Sequence, residues 1–271
     1  MIAKMVFGIA LIVIILVGSV LYLRHKFNAR LDHIETAIRT QKNGLPRSNL
    51  PPEIVALAQR IGARSDAASS GEFDQSGTMW MSRGAEATSF SAYQIVGVST
   101  SAFAWRAALY PLGAVLVADY FSEGTGGLEV KLFGAIPLAR MVGTPGMNQG
   151  EMLRYLAEIP WNPDAILMNE LLDWTVVDSQ TIKVASGVGE DRGEITFNLN
   201  ADGLIDRMSA PSRPYADKGR TTALPWHGRF WDYQKIGERL LPLQGEVAWV
   251  MEGDEFVYWR GRLLNWKSRG N

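Results

Sequence analysis

The chain has 271 residues, and its 27 lysines and arginines against 28 aspartates and glutamates leave a net charge of -1. No basic run interleaved with aromatics is present, so nucleic acid is not an expected partner. The absence of cysteine excludes a disulfide framework, a thiolate metal site, a cysteine nucleophile and a lipid-modified cysteine, while 47% hydrophobic content allows a sizeable core.

The first predicted element is MVFGIALIVIILVGSVLYL, residues 5–23, which carries no charge. As a helix it spans about 28 Å, close to the hydrocarbon thickness of a bilayer. It is longer than a signal-peptide core, and no small-x-small site precedes Arg24, so an uncleaved single-pass anchor over residues 1–26 is expected. Arg24, Lys26 and Arg30 after the span favour a cytoplasmic C-terminal domain by the positive-inside rule. The short N-terminal tail is instead the layout of a signal anchor that exports the domain C-terminal to it, and the expected location is the cytoplasmic membrane with an extracytoplasmic soluble domain.

Residues 27–70 read as a stalk. Phe27, Leu31, Ile34 and Ile38 recur at helical spacing, NGLPRSNLPP breaks the helix, PEIVALAQRIG forms a short second one, and ARSDAASSGE is a linker. From Gly71 to residue 271 the pattern turns to period two, with about a dozen short strands separated by Gly, Asp and Ser turns. A helical insertion at about 148–168 interrupts them, with Asn148 as its expected N-cap, Glu151 three residues on, and Trp161 between Pro160 and Pro163. The expected fold class is mainly β (α+β): a large curved antiparallel sheet or half-barrel with helices packed on one face, preceded by a single transmembrane helix. In the last hairpin a three-residue loop over Glu252, Gly253 and Asp254 pairs Met251 with Glu255, Trp249 with Val257 and Glu246 with Arg260. This register groups Ala248, Val250, Phe256 and Tyr258 with the Glu246–Arg260 pair, and sets Trp249, Val257 and Trp259 on the other face.

Catalytic signals are sparse. His227 is the one histidine of the β-rich domain, and the period-two frame points Asp232 away from it. His25 and His33 read as interfacial or solvated. Glu158, Asp164, Glu170 and Asp173 gather around the insertion, but their spacing matches no metal or glycosidase motif, and caps and solvated faces account for them. The runs EGTGG and GVGEDRGE lack the strand-to-helix context of a phosphate loop and read as hairpin turns. No metal and no cofactor are expected. Most of the nine tryptophans belong to a core, and some can line an apolar cavity.

Several stretches resemble a family of bacterial membrane-anchored proteins of unknown function. They are QSGTMW near Gln75, LEVKLFGAIPLAR at 128–140, GEMLRYLAEIPWNPDAIL at 150–167, LPWHGRFWDY at 224–233 and GEVAWVMEGDEFVYWRGRL at 245–263. At the level of fold, a many-stranded curved sheet with helices over it is similar to the lipoprotein-carrier half-barrels. That resemblance implies a hydrophobic ligand but carries over no functional residue.

The resulting expectation is a membrane-tethered binding or carrier domain for a lipid or other apolar molecule. Trp161, Trp249 and Tyr258 are its expected walls, and Arg260 with Glu246 its expected polar end. The alternatives from other classes are a hydrolase-type enzyme using His227 with Asp232 or Glu170, and a structural or scaffolding membrane protein.

Overall fold

Thirteen strands form one antiparallel sheet in the computed structural model, which describes residues 2–42, 44–66, 68–217 and 220–270. In chain order the elements are α1 (Ile2–Arg39), α2 (Pro52–Arg60), β1 (Ala68–Met79), β2 (Thr88–Gly97), β3 (Phe103–Leu109), β4 (Val115–Ser122), β5 (Thr125–Leu132), β6 (Ile136–Val142), α3 (Pro145–Ala157), α4 (Asp164–Met168), β7 (Asp173–Val176), β8 (Thr181–Ser186), β9 (Gly193–Leu199), β10 (Ile205–Asp217), β11 (Arg220–Ile236), β12 (Arg239–Met251) and β13 (Asp254–Gly270). The sheet order β6-β5-β4-β3-β2-β1-β13-β12-β11-β10-β9-β8-β7 joins two meanders along the β1–β13 seam. The chain must therefore cross from one outer edge to the other between β6 and β7. Helices α3 and α4, with the 3-10 turn Ile159–Trp161, make that crossing over one face. Because α3 touches β4 and β5 from one meander and β8, β9 and β10 from the other, the sheet curls around it as a half-barrel.

The two faces have separate apolar cores. On the concave side, Phe73, Phe90, Phe103, Trp105 and Val117 pack with Leu153, Leu156 and Trp161 of the insertion and Ile54 and Leu57 of α2. On the convex side, Phe27, Leu31 and Ile38 of α1 pack against Ile95, Ala102, Ala104, Ala118 and Tyr120. The alanines let the helix backbone approach the strands closely. Alternate residues of the same strands thus feed two cores, which is why apolar side chains occur at both parities. Arg39 Nε bonds Glu72 Oε1 at 2.8 Å, and Arg30–Glu129 and Arg106–Glu35 add further ion pairs under the helix. Burial is the first cause of a raised Glu35 carboxyl, partly offset by Arg106.

Some local expectations change. Strand β1 begins inside the stretch read as a linker, since Ser69 and Ser70 are buried within the sheet. Asn43 of the expected Asn-Gly break and Ala67 of the linker lie outside the described residues. Strand β6 is exposed along most of its length. Helix α3 starts earlier than its hydrophobic stripe suggests: Thr144 is the N-cap, its Oγ1 accepting from Met147 N at 3.2 Å. Asn148 lies inside the helix, where its Oδ1 accepts from Gly126 N at 2.9 Å. The last hairpin turns on two residues, Glu252 and Gly253, both with positive φ, so Met251 pairs with Asp254. A bulge at Tyr258 restores the expected Glu246–Arg260 pairing and changes the faces. Trp249 pairs with Phe256 and Ala248 with Val257, and Tyr258 stacks on Trp249 at 5.7 Å between ring centroids.

Three glycines lie in lateral register across the seam, Gly77 on β1, Gly261 on β13 and Gly245 on β12, flanked by Phe90 on β2 and Phe230 on β11. A Cβ at Gly245 would sit 2.9 Å from the Trp161 ring, and one at Gly261 would sit 2.2 Å from Trp259. The missing side chains make a trough for a run of rings: Phe90–Trp259 at 5.8 Å, Trp259–Trp161 at 6.1 Å and Trp161–Phe230 at 5.3 Å. At Gly77 the built Cβ would lie 2.1 Å from the Arg260 carbonyl oxygen, a backbone atom that cannot rotate away. Gly77→Ala is therefore expected to destabilise the protein by about 1–3 kcal/mol through overpacking, seen as a lower thermal unfolding midpoint of the full chain. An unchanged midpoint would show that the trough tolerates a methyl group.

Candidate functional site

Between α3 and the concave face lies a cavity of about 320 Å³. Its walls are aromatic, with Trp105, Trp161, Trp226, Trp249, Tyr258 and Trp259 contributed by four different strands and the crossover. Its lining reaches the surface at Met141, Thr144, Ala216 and Thr221. Two β-bulges set which side chains enter. The Tyr258 bulge brings both Tyr258 and Trp259 to the cavity. On β10 an irregularity between Ala210 and Arg213, at Pro211 and Ser212, shifts the alternation by one residue. Buried Met208 and Ala210 are thereby followed on the concave side by Arg213 and Tyr215.

One wall is charged. Helix α3 supplies Glu151, Arg154 and, at its C-cap, Glu158, whose spacing of three and four residues stacks them on one face. Arg154 pairs with Asp119 of β4, and its Nε donates to Glu158 Oε1 at 3.0 Å. Arg213 lies over the Trp226 and Trp249 rings at 4.2 and 5.3 Å, and its Nη1 donates to Tyr258 Oη at 3.1 Å. Trp226 Nε1 donates to the same oxygen at 3.1 Å. Burial, and then the Asp119 charge, push the Glu151 carboxyl well above the usual carboxylate range. A protonated Glu151 can donate to Asp119. Asp119 Oδ1 and Glu151 Oε2 are both buried oxygens that no N–H reaches.

Four of the five side chains expected at a ligand site border this cavity: Trp161, Trp249, Tyr258 and Glu246. Trp161 is also structural, since its Nε1 donates to the Pro242 carbonyl at 2.7 Å and its own carbonyl accepts from Trp266 Nε1 at 2.8 Å. Arg260 is not part of the lining. Its Nη2 and Nε bond Glu246 Oε2 at 2.7 and 3.0 Å, and Glu246 is further engaged by Arg229 at 3.4 Å. The expected Glu246–Arg260 pair therefore exists, but it belongs to an ion-pair ladder beside the cavity. His227 joins the same ladder: its Nδ1 lies 2.8 Å from Glu255 Oε1, and Arg229 donates to Glu255 Oε2 at 2.7 Å. Hydrogen bonding to His227, together with the Arg229 charge, holds Glu255 below its ordinary range. Neither Asp232 nor Glu170 is the partner of His227; Asp232 accepts from Gln234 and Glu170 is exposed. His227 and Glu255 border a wider, mostly polar depression open to solvent.

The carboxylates around the insertion part company. Asp164 makes a two-pronged bond with Arg239 at 2.5 and 3.0 Å, Asp173 pairs with Arg192 at 3.0 Å and Glu158 holds Arg154. Among the described residues no group of three or more His, Asp or Glu is placed to hold a metal. Sequence reasoning missed Arg213, Asp119, Arg154 and Trp226. Arg213 sits between two prolines in a segment with no strand pattern, and parity could not be extended across an unseen bulge.

A family model described as a family of unknown function, DUF6920, matches residues 50–266. The chain belongs to the DUF6920 family. No curated protein matches it. Solved structures to which this DUF6920 member is similar include a DUF1329 family protein from Desulfovibrio piger, with TM-score 0.46 and 14% identity over 80% of this chain and 90% of that one. A LolA superfamily protein from Nitrosomonas europaea has TM-score 0.45 and 10% identity over 80% and 94%. A candidate outer membrane lipoprotein-sorting protein domain from Vibrio parahaemolyticus has TM-score 0.44 and 7% identity over 80% and 91%.

The raised Glu151 carboxyl has a measurable consequence. Above its ordinary value of 4.5 the unfolded chain loses this proton while the native state keeps it, so its contribution to stability falls as pH rises until the folded carboxyl ionises. Glu151→Gln removes this dependence. Asp119, Arg154 and Arg213 face the group in both proteins, and Glu35 titrates equally in both. Thermal unfolding of the full chain is expected to show the variant gaining on the wild type as pH rises above 4.5; a constant difference would mean that Glu151 ionises as an ordinary surface carboxylate.

Proposed function

We propose that this DUF6920 member is a membrane-tethered binding or carrier domain for a lipid or other apolar molecule. The observation that carries the reading is the cavity itself: an aromatic-walled space of about 320 Å³ held between a curled sheet and a crossover helix and reaching the surface at one side. That volume lies at the lower end of the roughly 300–1,000 Å³ of small-molecule sites, which suits one apolar chain better than a whole two-chain lipid. Burying that chain supplies affinity at ~25 cal/mol per Å² of apolar surface.

Tethering is supported by α1. Its N-terminal part is apolar, exposed and, among the described helices, the one long enough to cross a bilayer. The residues just past the apolar stretch adjoin apolar turns of the half-barrel. The β5–β6 turn at Gly134 lies against the Arg24 side chain, and Phe133 N donates to Ala114 O of the neighbouring β3–β4 turn. Leu112, Phe133, Ile136 and Leu138 are exposed there. A bilayer surface at that end of the domain covers this patch. In this reading the domain works outside the cytoplasmic membrane.

The test is native mass spectrometry of the full chain released from lipid nanodiscs, with organic extraction of what remains bound. A stoichiometric adduct of lipid mass is expected. In Val247→Phe, which pushes a ring into the cavity, the adduct should be lost while the thermal midpoint stays within a few degrees of wild type. A bare wild-type mass, or an adduct that persists in the filled variant, would overturn the reading.

A further inference from the structure

The two arginines of the cavity wall are not equivalent. Arg154 is matched by Asp119 and Glu158, so its charge is neutralised where it stands. Arg213 is only 8% exposed, yet its contacts are two indole faces and the neutral hydroxyl of Tyr258. Its nearest carboxylate oxygen, Glu151 Oε1, is 3.9 Å from Nη2, beyond hydrogen-bond length. Its Nε is buried with no partner. A helical residue without a side chain, Gly150, stands opposite that nitrogen; even a Cβ built there would stop 3.9 Å from it. A buried cation with an unused donor is costly unless a counter-charge completes it, and Arg213 is part of the cavity lining.

We propose that the cavity takes a single apolar chain that ends in an oxyanion, a carboxylate or a phosphate, and that Arg213 receives that anion. The inference rests on the carrier reading above and names the head group. The guanidinium fork suits the oxygens of a carboxylate or phosphate; with Nη1 on Tyr258 and Nε enclosed beside Gly150, Nη2 is the nitrogen left for the anion. Trp226 and Trp249 hold the fork flat, and Tyr258 fixes its third nitrogen. Burial and the Asp119 charge raise the Glu151 carboxyl, so it competes less for the guanidinium than an ordinary carboxylate, while the aromatic walls take the chain. A neutral alcohol gains the apolar contacts without the ion pair, and a free phosphate gains the ion pair without the chain.

The full chain held in an amphipathic polymer can be titrated with a fatty acid brominated at its terminal carbon, the matching brominated alcohol and the matching alkyl phosphate, with quenching of tryptophan fluorescence as the readout. Inorganic phosphate serves as a competitor. The acid and the alkyl phosphate are expected to bind at least about tenfold more tightly than the alcohol, the scale of one hydrogen bond to a charged group. Arg213→Gln is expected to abolish that advantage, and inorganic phosphate at the same concentration should displace neither chain. Equal affinity of acid and alcohol for the wild type would overturn the head-group assignment while leaving the apolar cavity standing. Absence of quenching by any of the three chains would overturn both. The wild-type series decides the matter even if the variant does not fold.

Discussion

The lateral row of Gly77, Gly261 and Gly245 is the constraint on which the remaining architecture depends. At the seam between the two meanders the sheet gives up three side chains, and the rings of Phe90, Trp259, Trp161 and Phe230 lie in the trough that results. Glycine in a strand normally weakens it. Here covering rings replace the lost packing, and the backbone is free to bend toward the crossover. Trp161, seated over Gly245 and bonded to Pro242, pins the crossover to the floor, and the cavity is the space left beside this contact.

Topology makes that contact necessary. With β6 and β7 at opposite edges, the chain between them has to cross one face of the sheet, and a crossing segment in a curled sheet is enclosed by it. Helix α3 meets this condition with an apolar side that packs and a charged side that looks into the cavity. The buried network of Tyr155, Asn169 and Asn162, in which Tyr155 Oη and Asn162 Nδ2 both donate to the Gly97 carbonyl, fixes its orientation. Charges placed on such a helix, or on the strands facing it, cannot withdraw into solvent. They are matched closely, as Arg154 is by Asp119 and Glu158, or only at 3.9 Å, as Arg213 is by Glu151.

The convex face has a different task. Helix α1 continues without a break from its apolar segment into the stretch that packs on β2, β3 and β4, so whatever holds the first part holds the half-barrel at a fixed angle. The buried acids at this interface, Glu35 of the helix and Glu72 and Glu129 of the sheet, each meet an arginine. The interface is thus specified by charge register as well as by apolar contact.

The sequence by itself determined what depends on local composition and period. An uncharged apolar run of that length reads as a helix long enough to span a bilayer. Alternating segments between Gly and Asp turns can only be strands, and a stripe of Met152, Leu153, Leu156 and Ile159 needs an apolar face to cover it. Trp161, Trp249 and Tyr258 could be named because large aromatics next to turns and prolines are conspicuous. The tertiary structure alone decided which face each side chain meets. That depends on parity, and parity is reset by each bulge: Tyr258 joins Trp249 because of one, Arg213 enters the concave side because of another, and the period-two pattern does not carry across either. It also decided which of two arginines is neutralised. Asp119 lies far from both Arg154 and Arg213 in sequence, and only the curl of the sheet determines which charge it reaches.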